Sequence, residues 1–222
     1  MVMRWIAVLL LISATTASGA SPGDEDWCRN GLFPTEPPFG LAQVTGTGGA
    51  YFYEDADGCP DRGAGCRQAA YVVSGDRVVT NRSHGAFICA FFPGRGGGTA
   101  GWMPVGRLRT LAVAANPPVA QWLGRWSREG NPEIRITSKA YGLAVSGQAY
   151  WPGPVSTAEY PSPHIGEIDG RLTRKGSRAH YGDADDCEIN FTLLGDLLVA
   201  GDNTNCGGAN VSFSAVYRRV GR

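Results

Sequence analysis

The apolar positions of this chain fall into short stretches, punctuated by glycine and proline about every 8–12 residues. Val72 and Val73 precede Ser74-Gly75-Asp76, and Val78 and Val79 follow it. β-formers around a tight turn in which glycine can take positive φ predict the end of one strand and the start of the next. Phe87, Cys89 and Phe91 alternate with Ile88, Ala90 and Phe92, so both faces of that strand are apolar and both must be covered. Residues 94–98 follow as a glycine-rich hairpin loop. Further strands are expected at residues 134–136, 142–149, 164–172, 187–194, 196–200 and 210–219. In the last of these Ser212, Ser214 and Val216 alternate with Val211, Phe213 and Ala215. Gly195-Asp196 and Gly201-Asp202-Asn203 read as hairpin turns. Beyond residue 20 no stretch has a sustained helical period. Residues 110–121 come nearest, but Asn116-Pro117-Pro118 makes them a linker. The fold class is all-β, with 32 glycines and 14 prolines serving its turns.

One run breaks this pattern. Arg4 and the unbroken apolar stretch Trp5 to Ile12 lead into small and hydroxylated residues up to Ala20. A positive charge, a short apolar run and a small-residue exit predict a secretory leader over residues 1–20. The run is far shorter than the roughly 20 residues a spanning helix requires. No cysteine stands at the expected cut, so a lipid anchor is not expected. The chain beyond the leader carries 19 basic and 20 acidic residues, and the two signs balance within each half: 8 against 9 over residues 21–111 and 11 against 11 over 112–222. Bulk electrostatics therefore favour neither nucleic acid nor anionic lipid. All six cysteines follow the leader, which in an exported chain predicts disulfides. Six cysteines allow 15 pairings. Spacing favours Cys28 with Cys89, Cys59 with Cys66, and Cys187 with Cys206, the last worth about 3 kcal/mol in the chain-entropy account.

Three segments carry a resemblance: Tyr51-Phe-Tyr-Glu-Asp-Ala-Asp-Gly58, then residues 70–79 with Gly75-Asp76-Arg-Val78, then Gly101-Trp102 with Leu108. Together they resemble bacterial SH3-like domains over residues 41–111, about a third of the chain. The resemblance implies a small barrel and a role in cell-wall targeting, with Tyr51, Tyr53 and Trp102 as candidate ligand-binding rings. Residues 21–40 read as an irregular arm tied down by Cys28, and residues 112–121 as a linker. Residues 122–222 read as a compact antiparallel barrel or sandwich of seven or eight strands. Its opening Gly124-Arg-Trp126 resembles the first strand of lipocalin- and avidin-like barrels, where a tryptophan plugs the barrel end.

Catalytic constellations are sparse. Asp55, Asp57 and Asp61 have calcium-like spacing but lack the late bidentate glutamate, and read as a solvated turn. His164, Glu167 and His180 would be the ligands of a zinc hydrolase, without the paired-histidine helix such sites use. Cys187 and His164 stand in the wrong order for a wall cysteine peptidase, and Cys187 has a partner in Cys206. His84 sits in a turn. Glu167 and Asp169, two apart on a strand, share one face and are in principle paired for glycoside cleavage, but a barrel of about 100 residues without a deep cleft is not expected to cleave a wall. No Gly-x-Ser-x-Gly turn is present.

The expectation is an exported protein, periplasmic or secreted, that is not an enzyme and needs no cofactor or metal. Its partner would be peptidoglycan or an envelope protein, with no nucleic acid and no membrane insertion after leader removal. Two alternatives stand beside it. One is an inhibitor or immunity-type protein acting on a wall-degrading enzyme through the loop Tyr160-Pro-Ser-Pro-His164. The other is a metal-dependent hydrolase built on His164, Glu167 and His180.

Overall fold

The first sheet follows from alternation. In β2 (Ala50–Tyr53) Ala50 and Phe52 turn inward and Tyr51 and Tyr53 outward. The computed structural model describes residues 27–31, 33–128, 133–153 and 163–220. Around β2 stand β1 (Gly40–Val44), β3 (Arg67–Val72), β4 (Arg77–His84), β5 (Phe87–Phe92), β6 (Thr99–Pro104) and β7 (Leu108–Leu111). They form one antiparallel sheet in the order β3-β2-β6-β5-β4-β1-β7. A 3-10 turn over Val105–Arg107 separates β6 from β7. The inner face buries Val44, Ala50, Phe52, Val72, Val78 and Met103. The turn at Gly75 has φ +99° as its sequence requires. It does not join a hairpin: β3 pairs only with β2, and the turn instead bonds to Val44 of β1.

Eight strands close into an antiparallel barrel: β8 (Gly124–Ser127), β9 (Glu133–Lys139), β10 (Gly142–Trp151), β11 (His164–Lys175), β12 (Arg178–Gly182), β13 (Glu188–Leu194), β14 (Leu197–Asp202) and β15 (Ala215–Val220). Eight strands leave an interior that side chains can fill. Here Trp122, Trp126, Tyr181, Phe191, Phe213 and Tyr217 fill it. Three disulfides join Cys28 to Cys89, Cys59 to Cys66 and Cys187 to Cys206, the pairing that spacing favoured. They fit an oxidising, extracellular or periplasmic compartment. No helix among the described residues is long and apolar enough to cross a membrane.

Two sequence expectations fail at the barrel end. Gly201 and Asp202 belong to β14 rather than to a hairpin, and residues 210–214 are not strand. The chain from Asn203 to Ser214 crosses the end of the barrel instead. Asp202 holds it there, accepting bonds from the hydroxyls of Ser212 (3.0 Å) and Ser214 (2.8 Å) and from the Phe213 N–H (2.5 Å). Serines that alternate like a strand are thus spent as a cap. The crossing is close: a Cβ on Gly166 would stand 2.2 Å from the Cys206 carbonyl oxygen, so only glycine fits.

Sheet and barrel share a third apolar cluster. Leu41 and Val79 of the sheet meet Leu194, Leu197, Val199 and Val216 of the barrel, with Phe91 and Val113 packed alongside. This explains the unbroken apolar run of β14: Leu198 and Ala200 face the barrel interior, while Leu197 and Val199 face the sheet. The Arg77–Asp196 bridge (2.8 Å) at the edge is half-exposed and adds little. Of the expected arm, the described residues 27–31 and 33–39 are irregular, and the arm is pinned where the Asn81 amide donates to the carbonyls of Glu36 (2.8 Å) and Pro38 (2.9 Å).

Candidate functional site

The three candidate rings fall on one face of the first sheet. Tyr51 and Tyr53 are two apart on β2, and Tyr53 stands directly opposite Trp102 of β6. Tyr53 packs on Phe87 with ring centres 5.0 Å apart. Trp102 does not reach the surface. It is 5% exposed, walled in by the Cys28–Cys89 disulfide and Phe33 of the arm, with the His84 ring 5.6 Å away. Its place is the floor beneath Tyr53 and Phe87. The accessible part of the face lies toward the sheet edge. There Tyr71, 57% exposed, tilts against Tyr51 at 5.4 Å, and the Arg67 guanidinium lies 4.0 Å over the Tyr51 ring. Tyr71 and Arg67 escaped sequence reasoning because only the β2–β3 register, Tyr51 opposite Tyr71, brings them beside the candidates.

The loop joining β2 to β3 is clipped by Cys59–Cys66 and bonded to β4 through His84 Nε2 and Asp61 Oδ2 at 2.9 Å. Asp55 turns the other way. Its carboxylate, 3% exposed, accepts the Cys28 N–H at 2.7 Å and faces Arg29 at 3.8 Å. Asp55 and Asp61 therefore anchor different neighbours, and with Asp57 they do not converge on a metal site. Among the described residues no group of three His, Cys, Asp or Glu side chains is arranged to hold a metal ion.

The histidines of the barrel are similarly dispersed. The His164 ring packs tilted against Trp151 (5.2 Å) and bonds the Ala209 carbonyl through Nδ1 at 2.6 Å. Glu167, three residues on, points to the opposite face of β11 and accepts a bond from Gln148 at 2.8 Å. His180 Nδ1 meets Asn190 Oδ1 at 3.2 Å. The geometry does not assemble the zinc set of His164, Glu167 and His180. Cys187 is in its disulfide and holds no thiolate. Of the loop singled out as an inhibitory edge, only Pro163 and His164 are among the described residues.

Glu167 and Asp169 do share an outer cleft of about 780 Å³ with Glu133, Gln148, Asp183 and Asp185. Two of these acids are committed. Arg125 grips Glu133 through two bonds, 2.8 and 2.7 Å, and holds its carboxyl below the usual range. Burial pushes the Asp183 carboxyl up, but donation by the Tyr181 hydroxyl (2.9 Å) and the N–H groups of Cys187 and Asp185 outweighs it and leaves the carboxyl low. Neither is poised to donate a proton near neutral pH, as glycoside cleavage by a general acid demands.

No family model matches this chain. No curated protein and no solved structure matches it either.

The barrel's buried phenols give a direct check on its packing. Burial, together with the bond to Asp183, pushes Tyr181 up to about 12. Burial and the nearby Asp202 carboxylate push Tyr217 well above the ordinary value. Stabilisation by the neutral Tyr181 phenol is complete below its unfolded pKa near 10 and is lost as pH rises through about 12. Spectrophotometric titration should therefore show Tyr181 and Tyr217 ionising only as the barrel's circular dichroism collapses. Ionisation of these two phenols near the ordinary tyrosine value with the fold intact would contradict this burial.

Proposed function

We propose that this chain is an exported, non-enzymatic binding protein of the cell envelope. Its first unit contacts peptidoglycan or a wall-associated protein through the outer face that carries Tyr51, Tyr53 and Tyr71. The observation that carries the reading is the exposed pairing of Tyr71 with Tyr51 under Arg67, a rigid aromatic and cationic strip with a buried floor. Stacked rings present amphipathic area at small entropic cost, and sugars and proline-rich peptides both dock on such strips.

Strand order supports the SH3-like reading of residues 41–111. A β4–β5–β6 meander is followed by a 3-10 turn, and β7 returns beside β1. Arg107 in that turn ties down the β1–β2 loop, donating to the carbonyls of Thr45 (3.0 Å) and Gly49 (3.2 Å). The filled barrel interior speaks against a lipocalin-type ligand inside the second unit and for a scaffold role there.

The test is co-sedimentation of the oxidised protein with purified peptidoglycan sacculi and with envelope extract. Tyr51→Ala with Tyr71→Ala is expected to weaken retention about tenfold or more, as loss of two contact rings does. Because Tyr71 is exposed, the melting temperature should fall by no more than a few degrees. Retention that is unchanged in the double variant, or absent in the parent protein for both materials, would overturn the reading.

A further inference from the structure

The seam between sheet and barrel holds a cavity of about 280 Å³. Phe33 and Pro34 of the arm, Phe91 of β5 and Val199 and Val216 of the barrel give it apolar walls. The cavity continues into a smaller recess of about 110 Å³, and the two share Phe91, Gly97, Arg128 and Val216. Three arginines line that recess: Arg95, Arg128 and Arg218. Among the described residues no carboxylate lines it and none of the three forms an ion pair.

The fold explains their convergence. Arg218 is two residues beyond Val216 on the same face of β15, so burying Val216 at the seam sets Arg218 at its rim. Ser127 pairs with Arg218 across β8 and β15, which brings Arg128 alongside. The Arg128 side chain lies against the glycine loop. A Cβ on Gly97, whose φ is +88°, would stand 3.5 Å from its Nη2. Arg95 comes from that same loop, between Gly94 and Gly98. The protein elsewhere gives exposed arginines carboxylate partners, Arg77 with Asp196 and Arg125 with Glu133. Three like charges at one recess repel, and their forked donors match phosphate or carboxylate oxygens.

We propose that this seam binds a small amphipathic anion. A phosphate or carboxylate head sits on Arg95, Arg128 and Arg218, and a short apolar body enters the cavity between Phe33, Phe91 and Val216. An engineered cavity of about 150 Å³ accepts benzene, so this one has room for a single ring or a short acyl chain. The arm, the sheet and the barrel each contribute to the walls, so the ligand binds only the assembled molecule and stabilises it. The site shares no residue with the Tyr51–Tyr71 strip, and the two readings stand or fall separately.

Calorimetric titration and thermal melts of the oxidised protein with phenyl phosphate, inorganic phosphate and benzyl alcohol test it. Phenyl phosphate is expected to bind below about 1 mM and to raise the melting temperature, with the other two at least about tenfold weaker, a difference of about 1.4 kcal/mol. Arg128→Gln with Arg218→Gln should cost phenyl phosphate about tenfold or more, with the unliganded melting temperature unchanged because both side chains are exposed. Amide shifts on titration should centre on residues 94–98 and 216–218, a readout that needs no variant. Co-sedimentation with phosphatidylglycerol vesicles, lost in the double variant, would support the site and assign its head group to a lipid. Phenyl phosphate binding without vesicle binding would support it and assign a free small anion. Equal binding by parent and variant, shifts centred elsewhere, or inorganic phosphate binding as tightly as phenyl phosphate would overturn the proposal.

Discussion

Trp126→Ala is expected to lower the melting temperature of the barrel by about 10–20 °C. The side chain is fully buried, and truncating a core tryptophan costs about 3–5 kcal/mol. More than packing is lost. The indole N–H donates to the Trp122 carbonyl at 3.0 Å, and the Arg219 guanidinium lies 4.3 Å from the ring centre. Arg219 also donates to the carbonyls of Gln121 and Leu123, so the ring, the last strand and the linker end are fastened at one point. Trp126→Phe keeps the ring contact and should cost less than half as much. Thermal melts followed by far-UV circular dichroism decide it. A fall of under about 3 °C for the alanine variant would mean the barrel end does not depend on this plug.

Removing Cys28–Cys89 by paired serine substitutions is expected to cost about 4 kcal/mol. The bridge closes a segment of 61 residues, and the chain-entropy account scales with loop length. Its loss has an optical signature that the other two bridges lack. Trp102 is covered by this disulfide and the arm, so the variant should show red-shifted tryptophan emission and greater quenching by acrylamide. The arm keeps polar ties, among them the Cys28 N–H to Asp55 (2.7 Å) and the Ala100 N–H to Asn30 Oδ1 (2.7 Å). Those bonds are worth about 1 kcal/mol each and should leave the arm loosened rather than free. Removing Cys187–Cys206, 19 residues apart, should cost about 3 kcal/mol without the change in quenching. Unaltered quenching in the Cys28–Cys89 variant would show that the arm covers Trp102 without the bridge.

Local patterning carried the strands but not their partners. β10 and β11 were legible as stretches set between turn residues rather than from alternation: Leu143, Ala144 and Val145 are consecutive and all buried, and along β11 the apolar residues Ile165, Ile168 and Leu172 are three and four apart. β12 was not: Arg178–Gly182 has only Ala179 and Tyr181 facing inward, too few to mark a period. Residues 210–214 alternate like a strand and are held as a cap by Asp202, because side-chain acceptors compete with a ladder for the same N–H groups. The doubly apolar faces of residues 87–92 announced a covering layer. That the layer is an arm on one side of Cys89 and a barrel beside Phe91 required the fold. The same limit governs the site residues. Tyr51 and Tyr53 were found as neighbours in sequence, whereas Tyr71 is a neighbour only through register, and Arg95, Arg128 and Arg218 only through the docking of two units.

The bridges of the first unit are nested: Cys59–Cys66 lies wholly inside the loop that Cys28–Cys89 closes. Closing short loops is entropically cheaper, so Cys59 and Cys66, separated by 7 in sequence, are the pair an unfolded chain joins most readily, and that pair is native. Once it is closed, Cys28 and Cys89 have only each other left within the unit. A chain that instead joins Cys28 to Cys59 must exchange that bridge by thiolate attack before Cys28 can pass to Cys89. Early closure of the inner bridge therefore spares the first unit a reshuffling step.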